Sequence, residues 1–365
     1  MAAPPVAAHP LNIALLTSTR SWRGSTTVFA VLARGLARLG HRATALVAYE
    51  RVARGFREQG LDVRTLPVGH TNLAAARALR RTLRELATDV VFVDKPRDVR
   101  HAAYAAAGRP VTLVYCLSTP SPPRDVLTRW AFRRVGVAVF LTDQLARRAL
   151  AEAPFLKRAA RHVIPNGVDC ARFRPDEAAG RAFRQRHELG DGPVLVGVGA
   201  LEIEKRWDLL LDGVARLSPP APPLVLCGRG ALEGVLQAQA QRLGVDVKFI
   251  GEVGPAQLVG AYNAATCVVH TRPDEVFSLA LIEALACGRP VLAVDGGGTA
   301  ELLGDAGVLA PPGDAAAFAR TLGELLRDAP RRVALGTAAR QRAVQRYSVE
   351  RMVRDYAEMV EALAG

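Results

Sequence analysis

Cys267-Val268-Val269-His270, followed after three residues by Asp274-Glu275-Val276-Phe277-Ser278-Leu279-Ala280-Leu281-Ile282-Glu283-Ala284-Leu285-Ala286-Cys287-Gly288-Arg289-Pro290-Val291, decides the fold. Four residues of a buried strand lead into a polar loop. An apolar stretch at helical spacing follows over 279–287, and Gly288 and Pro290 stop it. A second apolar run covers 291–294. Strands this apolar, joined through a helix, read as parallel neighbours covered on both faces.

The same grammar extends outward in both directions. In the second half, strands fit 194–198, 224–227 and 247–250, with helices over 207–217, 231–243 and 256–264. In the first half, strands fit 11–16, 43–47, 90–93, 111–115 and 137–141, with helices over 26–39 and 74–86. The expected class is α/β with two Rossmann-like domains. Punctuation at Val163-Ile164-Pro165-Asn166-Gly167-Val168-Asp169 marks the boundary. Residues 1–162 form the first expected domain and 163–347 the second. The end, from Ala315, reads as helical with an interruption at Tyr347-Ser348.

Composition agrees. The 365 residues are 50% hydrophobic and 5% aromatic, enough for two cores. The longest apolar runs, such as 194–201, fall far short of the ~20 residues that span a bilayer. Residues 1–10 read as a frayed tail without the pattern of a targeting segment. Five scattered cysteines (Cys116, Cys170, Cys227, Cys267 and Cys287) fit a reduced, cytoplasmic setting better than a disulfide framework or a zinc site. The net charge of +13 is uneven: residues 1–175 hold 28 Lys+Arg against 11 Asp+Glu, and the remainder 20 against 24. The basic half is expected to face something anionic.

Ligands of open α/β sheets bind beyond the carboxyl ends of the strands. The N–H groups of Phe277, Ser278 and Leu279 open a helix there and suit an anion. Glu275 falls in the loop and Glu283 more than one turn into the helix. One carboxylate then stands near a reacting group while the other accepts from ribose hydroxyls; the plain alternative is two solvated glutamates. A second strand-to-helix turn, Gly197-Val198-Gly199-Ala200-Leu201-Glu202-Ile203-Glu204-Lys205-Arg206-Trp207-Asp208, offers Lys205 or Arg206 to a diphosphate, or a solvated charge pair. Gly199, Gly228, the Gly251-Glu252-Val253 turn and Gly296-Gly297-Gly298 mark further strand ends, as close-approach sites or as turns. In the first half, Gly24 holds the same place after the first strand.

Together these segments resemble the retaining glycosyltransferases of the GT-B fold, the group often called family four. The resemblance rests on Glu275 with Glu283, the run from Ala284 to Val291, the Ile164-to-Asp169 junction, and Glu204-Lys205. It implies two Rossmann-like domains with a cleft between them, and a last helix in 348–365 crossing back to the first domain. It further implies Glu275 beside the donor sugar, Glu283 on the ribose, a basic pair on the diphosphate, and Gly24 facing the donor. Donor contacts are expected from Gly199, Lys205, Gly228, Gly251, Val253, Phe277, Ser278, Leu279 and Glu283. Glu275, Lys205 and Arg206 are the expected catalytic set. Two departures stand out. The family's Arg is replaced by Ala200, with Arg206 or Arg272 as substitutes. Cys116 occupies a position where many members carry His.

The implied reaction is hexosyl transfer from a nucleotide-sugar donor to an acceptor hydroxyl with retention, without a cofactor. No Asp-x-Asp pair suits a metal, so a metal-independent reaction is expected. Asp94, Lys95 and Cys116 are the acceptor-side candidates, although 94–98 reads equally as a solvated loop, and His70 and His101 read as surface residues. Arg77, Arg80, Arg81 and Arg84 share one helix face opposite Leu79, Leu83 and Leu86, and residues 124–134 mix arginines with Trp130 and Phe132. A glycan or lipid-linked acceptor, of glycolipid or lipopolysaccharide type, on an anionic membrane surface fits this charge; a soluble acidic acceptor is the other choice. A sugar-nucleotide epimerase on the same fold is the nearest rival. A dehydrogenase lacks its G-x-G-x-x-G turn at Leu16-Thr17-Ser18-Thr19. A non-catalytic anionic-surface binder leaves Glu275 and Glu283 unexplained, and no nucleic-acid partner is expected because no stacking motif is present.

Overall fold

The computed structural model describes residues 9–22, 24–70, 72–117 and 125–363. The chain forms two compact units: Met1–Gly167 together with Val349–Gly365, and Val168–Ser348.

The first unit alternates β1 (Asn12–Thr17), α1 (Gly24–Arg38), β2 (Arg42–Val47), α2 (Glu50–Arg57), β3 (Val63–Thr65), α3 (Leu73–Glu85), β4 (Val90–Val93), α4 (Pro96–Ala105), β5 (Thr112–Leu117), α5 (Val126–Phe132), β6 (Val135–Phe140), α6 (Asp143–Glu152) and β7 (Ala160–Val163). Its seven strands are parallel in the order β3-β2-β1-β4-β5-β6-β7. Ile13 is in register with Ala43 on one side and Val90 on the other. The second unit continues with α7 (Glu177–Arg186), β8 (Leu195–Val198), α8 (Trp207–Val214), β9 (Leu224–Cys227), α9 (Glu233–Leu243), β10 (Val247–Gly251), α10 (Pro255–Ala264), β11 (Cys267–His270), α11 (Leu279–Ala286), β12 (Val291–Val294), α12 (Thr299–Leu303), β13 (Val308–Ala310), α13 (Ala315–Arg327) and α14 (Ala329–Arg346). Its sheet is β10-β9-β8-β11-β12-β13, again parallel.

The last helix, α15 (Val349–Glu361), belongs to the first unit. Met352, Tyr356 and Val360 are almost fully buried in its core, and Tyr356 stands edge-on to Phe92 at 5.7 Å. Burying each such side chain is worth about 1.5–3 kcal/mol. Gly35 on α1 makes room for this helix, because a Cβ there would lie 2.3 Å from the Val353 side chain.

The helices start where short polar side chains cap them. Asn72, Asp125, Thr142, Asp176, Ser278, Asp314 and Asp328 each accept a hydrogen bond from a first-turn N–H. The apolar pattern leaves β3, β7 and β13 unmarked. These are sheet-edge strands, and β7 reads Ala-Arg-His-Val because its outer residues meet water. The expected helix over 207–217 ends earlier, at Val214. The C-terminal helical stretch also breaks at Asp328, in addition to Tyr347-Ser348.

Strand order reverses between β1 and β4 in one sheet and between β8 and β11 in the other. These are the switch points where a crevice opens beyond the carboxyl ends of the strands.

Candidate active site

Lys205 follows β8 and Glu275 follows β11, so the switch point of the second sheet brings them together across 70 residues. Lys205 Nζ donates to Glu275 Oε2 at 2.9 Å. The Thr271 hydroxyl donates to the Lys205 carbonyl at 2.8 Å and ties the two loops. His270 Nε2 lies 3.2 Å from the same carboxylate oxygen. Arg272 Nη1 stands 3.8 Å from Glu275 Oε1. Burial alone pushes the Glu275 carboxyl up, yet His270 and the charge of Lys205 outweigh it and hold the pKa at about 2. Burial lowers the pKa of His270, against the pull of Glu275. A buried carboxylate thus faces a neutral imidazole and two cations.

The loop carrying Glu275 is pinned from below. The Gly298 N–H donates to the Glu275 carbonyl, and a Cβ on Gly297 would lie 2.2 Å from that same oxygen. A larger residue at Gly297, or at Gly296, where a Cβ would lie 1.7 Å from the Pro273 carbonyl, displaces the loop. Ser278 caps α11, and one face further along the helix Glu283 accepts from the Tyr262 hydroxyl at 2.8 Å. Burial raises the Glu283 carboxyl to about 7, with the Tyr262 bond opposing. Phe277 packs edge-on to Tyr347 at 6.0 Å. Gly228, with φ of +149°, lies so near Gly199 that a Cβ would meet the Gly199 carbonyl at 1.9 Å, and its N–H donates to the Gly251 carbonyl. These strand-end glycines let three loops close on one another, which accounts for them before any ligand is considered. Val253 is half-buried beside the same core.

One expected residue points elsewhere. Arg206 has a left-handed backbone and pairs with Asp208 at 3.0 Å, so its guanidinium is committed to α8; of the two substitutes for the missing arginine, Arg272 is the one beside Glu275. Gly24, Asp94, Lys95 and Cys116 belong to the first unit. Cys116 Sγ is 3.8 Å from the Tyr356 hydroxyl, and burial pushes its thiol up to about 12, so it is a packed, protonated group.

The 94–98 segment is not a solvated loop. Asp94 and Asp98 are buried where β4 passes into α4, and Pro96 opens the helix. The Asp98 carboxylate accepts from the Ser18 N–H at 2.9 Å, and Arg97 grips the Ser18 hydroxyl and carbonyl. Burial raises the Asp98 carboxyl to about 7, and the charge of Asp94 adds to the effect. Burial likewise raises Asp94, with Lys95 opposing. His101, expected at the surface, is 2% exposed, because it sits on the inner face of α4; His70 is exposed as expected.

Arg80 is not a free surface charge either. Its Nη1 donates to the carbonyls of Tyr104, Ala105 and Ala107 and closes the end of α4. Arg77, Arg81 and Arg84 are exposed. Arg124 lies outside the described residues. The sequence offered no sign of His270, which looked like one more strand residue. Among the described residues no group of three or more His, Cys, Asp or Glu side chains is placed to hold a metal ion.

Two parallel, doubly wound units are the architecture of the GT-B fold. Residues 22–172 match the family Glycosyltransferase Family 4 and residues 181–342 match Glycosyl transferases group 1. The chain belongs to this group 1/family 4 type of GT-B glycosyltransferases. It is 33% identical to a GDP-mannose-dependent alpha-(1-6)-phosphatidylinositol monomannoside mannosyltransferase of Mycolicibacterium smegmatis, over 60% of this chain and 62% of the relative. It is 36% identical to a D-inositol 3-phosphate glycosyltransferase of Corynebacterium jeikeium, over 50% of this chain and 47% of the relative. The chain thus spans less than two thirds of these relatives' length. In fold it is similar to Anabaena HepE, solved with UDP, with a TM-score of 0.84 at 21% identity over 96% of this chain and 100% of that one. A glycosyltransferase from Rickettsia africae gives 0.86 at 14% identity, over 97% and 99%.

Proposed function

We propose that this protein moves a sugar from a nucleotide-sugar donor to an acceptor hydroxyl with retention of anomeric configuration. The observation that carries the reading is the Lys205–Glu275 pair at the switch point, with the capped start of α11 and the Glu283 carboxyl beside it. Lys205 spends one N–H on Glu275 and keeps two for a diphosphate. With Arg272 and the α11 N-terminus it stabilises charge where it develops as the nucleoside diphosphate leaves. The acceptor hydroxyl attacks the anomeric carbon from the face being vacated. The bond from that carbon to the phosphate oxygen breaks, and the departing phosphate takes the hydroxyl proton. Glu275, held ionised, lies against the sugar, and Glu283 accepts from the ribose. Asp94 and Lys95, at the switch point of the first sheet, supply acceptor contacts.

The acceptor is a glycan or glycolipid presented at an anionic membrane surface. In support, α5 exposes Val126 (80%), Leu127 (57%) and Trp130 (55%) among Arg129, Arg133 and Arg134. Helix α3 packs on α4 and α4 on α5, so Arg77, Arg81 and Arg84 extend the same layer. Among the described residues no helix is long and apolar enough to cross a membrane. The test is calorimetry with nucleoside diphosphates, then transfer assays with the matching nucleotide sugars. The reading expects one nucleoside diphosphate to bind wild type and to bind Glu283→Ala more weakly, with a glycosylated product from wild type only in the presence of acceptor. If no nucleoside diphosphate binds, or the donor is altered without acceptor, the reading fails.

A further inference from the structure

The second unit carries a cavity of about 660 Å³ under α14, and the four charged side chains lining it are all arginines: Arg184, Arg289, Arg332 and Arg340. It lies at the edge of the sheet opposite Lys205 and Glu275. Residues 263–266 and 288–290, which line it, immediately precede β11 and β12, whereas the candidate active site follows β8 and β11. Volumes of this size hold small-molecule ligands.

Four guanidiniums collected without an acid are unusual in a half of the chain where acids outnumber bases. Among the described residues none of the four forms an ion pair within 4 Å. Their partners are backbone carbonyls. Arg184 holds those of Ala264, Gly190 and Gly192. Arg289 holds Cys287 and Asn263, Arg332 holds Leu325 and Leu326, and Arg340 holds Phe173, Ala286 and Cys170. Carbonyls fix the direction of a guanidinium but leave its charge in place. Arg289 Nη2 and the Nε and Nη2 of Arg332 have no protein acceptor among the described residues. Burial lowers the pKa of both Arg184 and Arg289, and Arg184 depresses Arg289 further by like charge. Glu177 and Asp191 act on the pair only from beyond ion-pair distance.

We infer that this cavity binds a phosphate-bearing small molecule at a site separate from the donor site. Oriented guanidinium forks match phosphate oxygens, and a dianion removes the like-charge repulsion between Arg184 and Arg289. The volume exceeds what a lone phosphate fills, so the ligand class is a phosphorylated sugar or a nucleotide. Thr337 lines the same wall, and its hydroxyl, which donates to the Val333 carbonyl, is able to accept from a hydroxyl or base of the ligand.

The test is titration calorimetry on the full chain at low salt with pyrophosphate, glucose 6-phosphate and adenosine monophosphate as separate probes. At least one probe is expected to bind wild type and Glu283→Ala alike, and to bind Arg289→Gln/Arg332→Gln at least tenfold more weakly. The sugar phosphate and the nucleotide distinguish the two ligand sources. Arg289→Lys, which keeps the charge, is expected to retain part of the affinity and serves if the double variant fails to fold. Hydrogen exchange on wild type gives a second readout, with protection expected over 288–290 and 329–341. The proposal is overturned if no probe binds. It is equally overturned if binding falls in Glu283→Ala and persists in the arginine variants, or if protection appears only around 275–283.

Discussion

Replacing Lys205 by Met removes the closest cation from Glu275 and leaves a carboxylate that is 8% exposed, while Lys205 itself is 18% exposed. Both groups are too buried for solvent to screen much of the loss. The Glu275 pKa of about 2 lies below its ordinary 4.5. At about 1.4 kcal/mol per pH unit, this corresponds to roughly 3 kcal/mol of folding stability. Because the folded value is depressed, that stability is present above pH 4.5 and lost as pH falls toward 2. Lys205 and His270 share it, so a double-mutant cycle of Lys205→Met with Glu275→Gln is expected to give a coupling of about 2 kcal/mol at pH 7. The coupling shrinks as pH falls through the variant's raised carboxyl pKa, since a protonated Glu275 needs no cation. Trp207 is buried in the second unit, and Trp22 and Trp130 lie in the first. In a Trp22→Phe/Trp130→Phe background, urea unfolding followed by Trp207 fluorescence therefore reads the relevant unit alone. A coupling within 0.5 kcal/mol of zero, using the usual additivity error as the yardstick, or one unchanged between pH 7 and pH 4, refutes the electrostatic account.

Glu283→Gln is expected to weaken nucleoside diphosphate binding by about 2–3 kcal/mol. Wild-type affinity should itself decline as pH drops through about 7, where the carboxyl takes up its proton, while the Gln variant stays flat; calorimetry at pH 6 and pH 8 decides. Gly228→Ala combines a φ of +149° with a Cβ 1.9 Å from a carbonyl, and should cost about 2–4 kcal/mol in chemical denaturation. Transfer should survive EDTA; full loss restored by Mg²⁺ contradicts this. Leu127→Ser/Trp130→Ser should release the protein from phosphatidylglycerol vesicles in sedimentation, whereas Arg80→Gln, which uncaps α4, should lower the melting temperature and leave vesicle binding largely intact.

The central strands were legible because they are buried on both faces and therefore continuously apolar, as in Val90–Val93 and Leu224–Cys227. Edge strands such as β7 lack that signature, since half their surroundings are water. Glu275 and Lys205 could be singled out by their places after strands, but no spacing rule puts residues 70 apart at 2.9 Å; the parallel register of β8 and β11 does. Arg206 misled because a one-residue left-handed turn sends its side chain to Asp208. His101 misled because a helix with two buried faces carries polar residues inward, as Asp98 also shows. His270 was invisible inside an apolar run, and what distinguishes it is only the carboxylate that the following loop folds back over it.

The return of α15 to the first unit has a consequence for synthesis. The second unit starts at Val168 and ends at Ser348, and these two residues bridge each other, with the Val168 N–H donating to the Tyr347 carbonyl. Its whole core is therefore contiguous in the chain. The first unit's core is not: Met352, Tyr356, Met359 and Val360 are translated nearly 200 residues after Val163 ends the unit's last strand. On the ribosome the segment made first waits with an uncovered apolar face while the segment made second closes on its own contacts. Vectorial folding usually favours the N-terminal domain; here chain order and completion order are reversed, and any truncation that removes α15 strikes the half of the protein farthest from it in sequence.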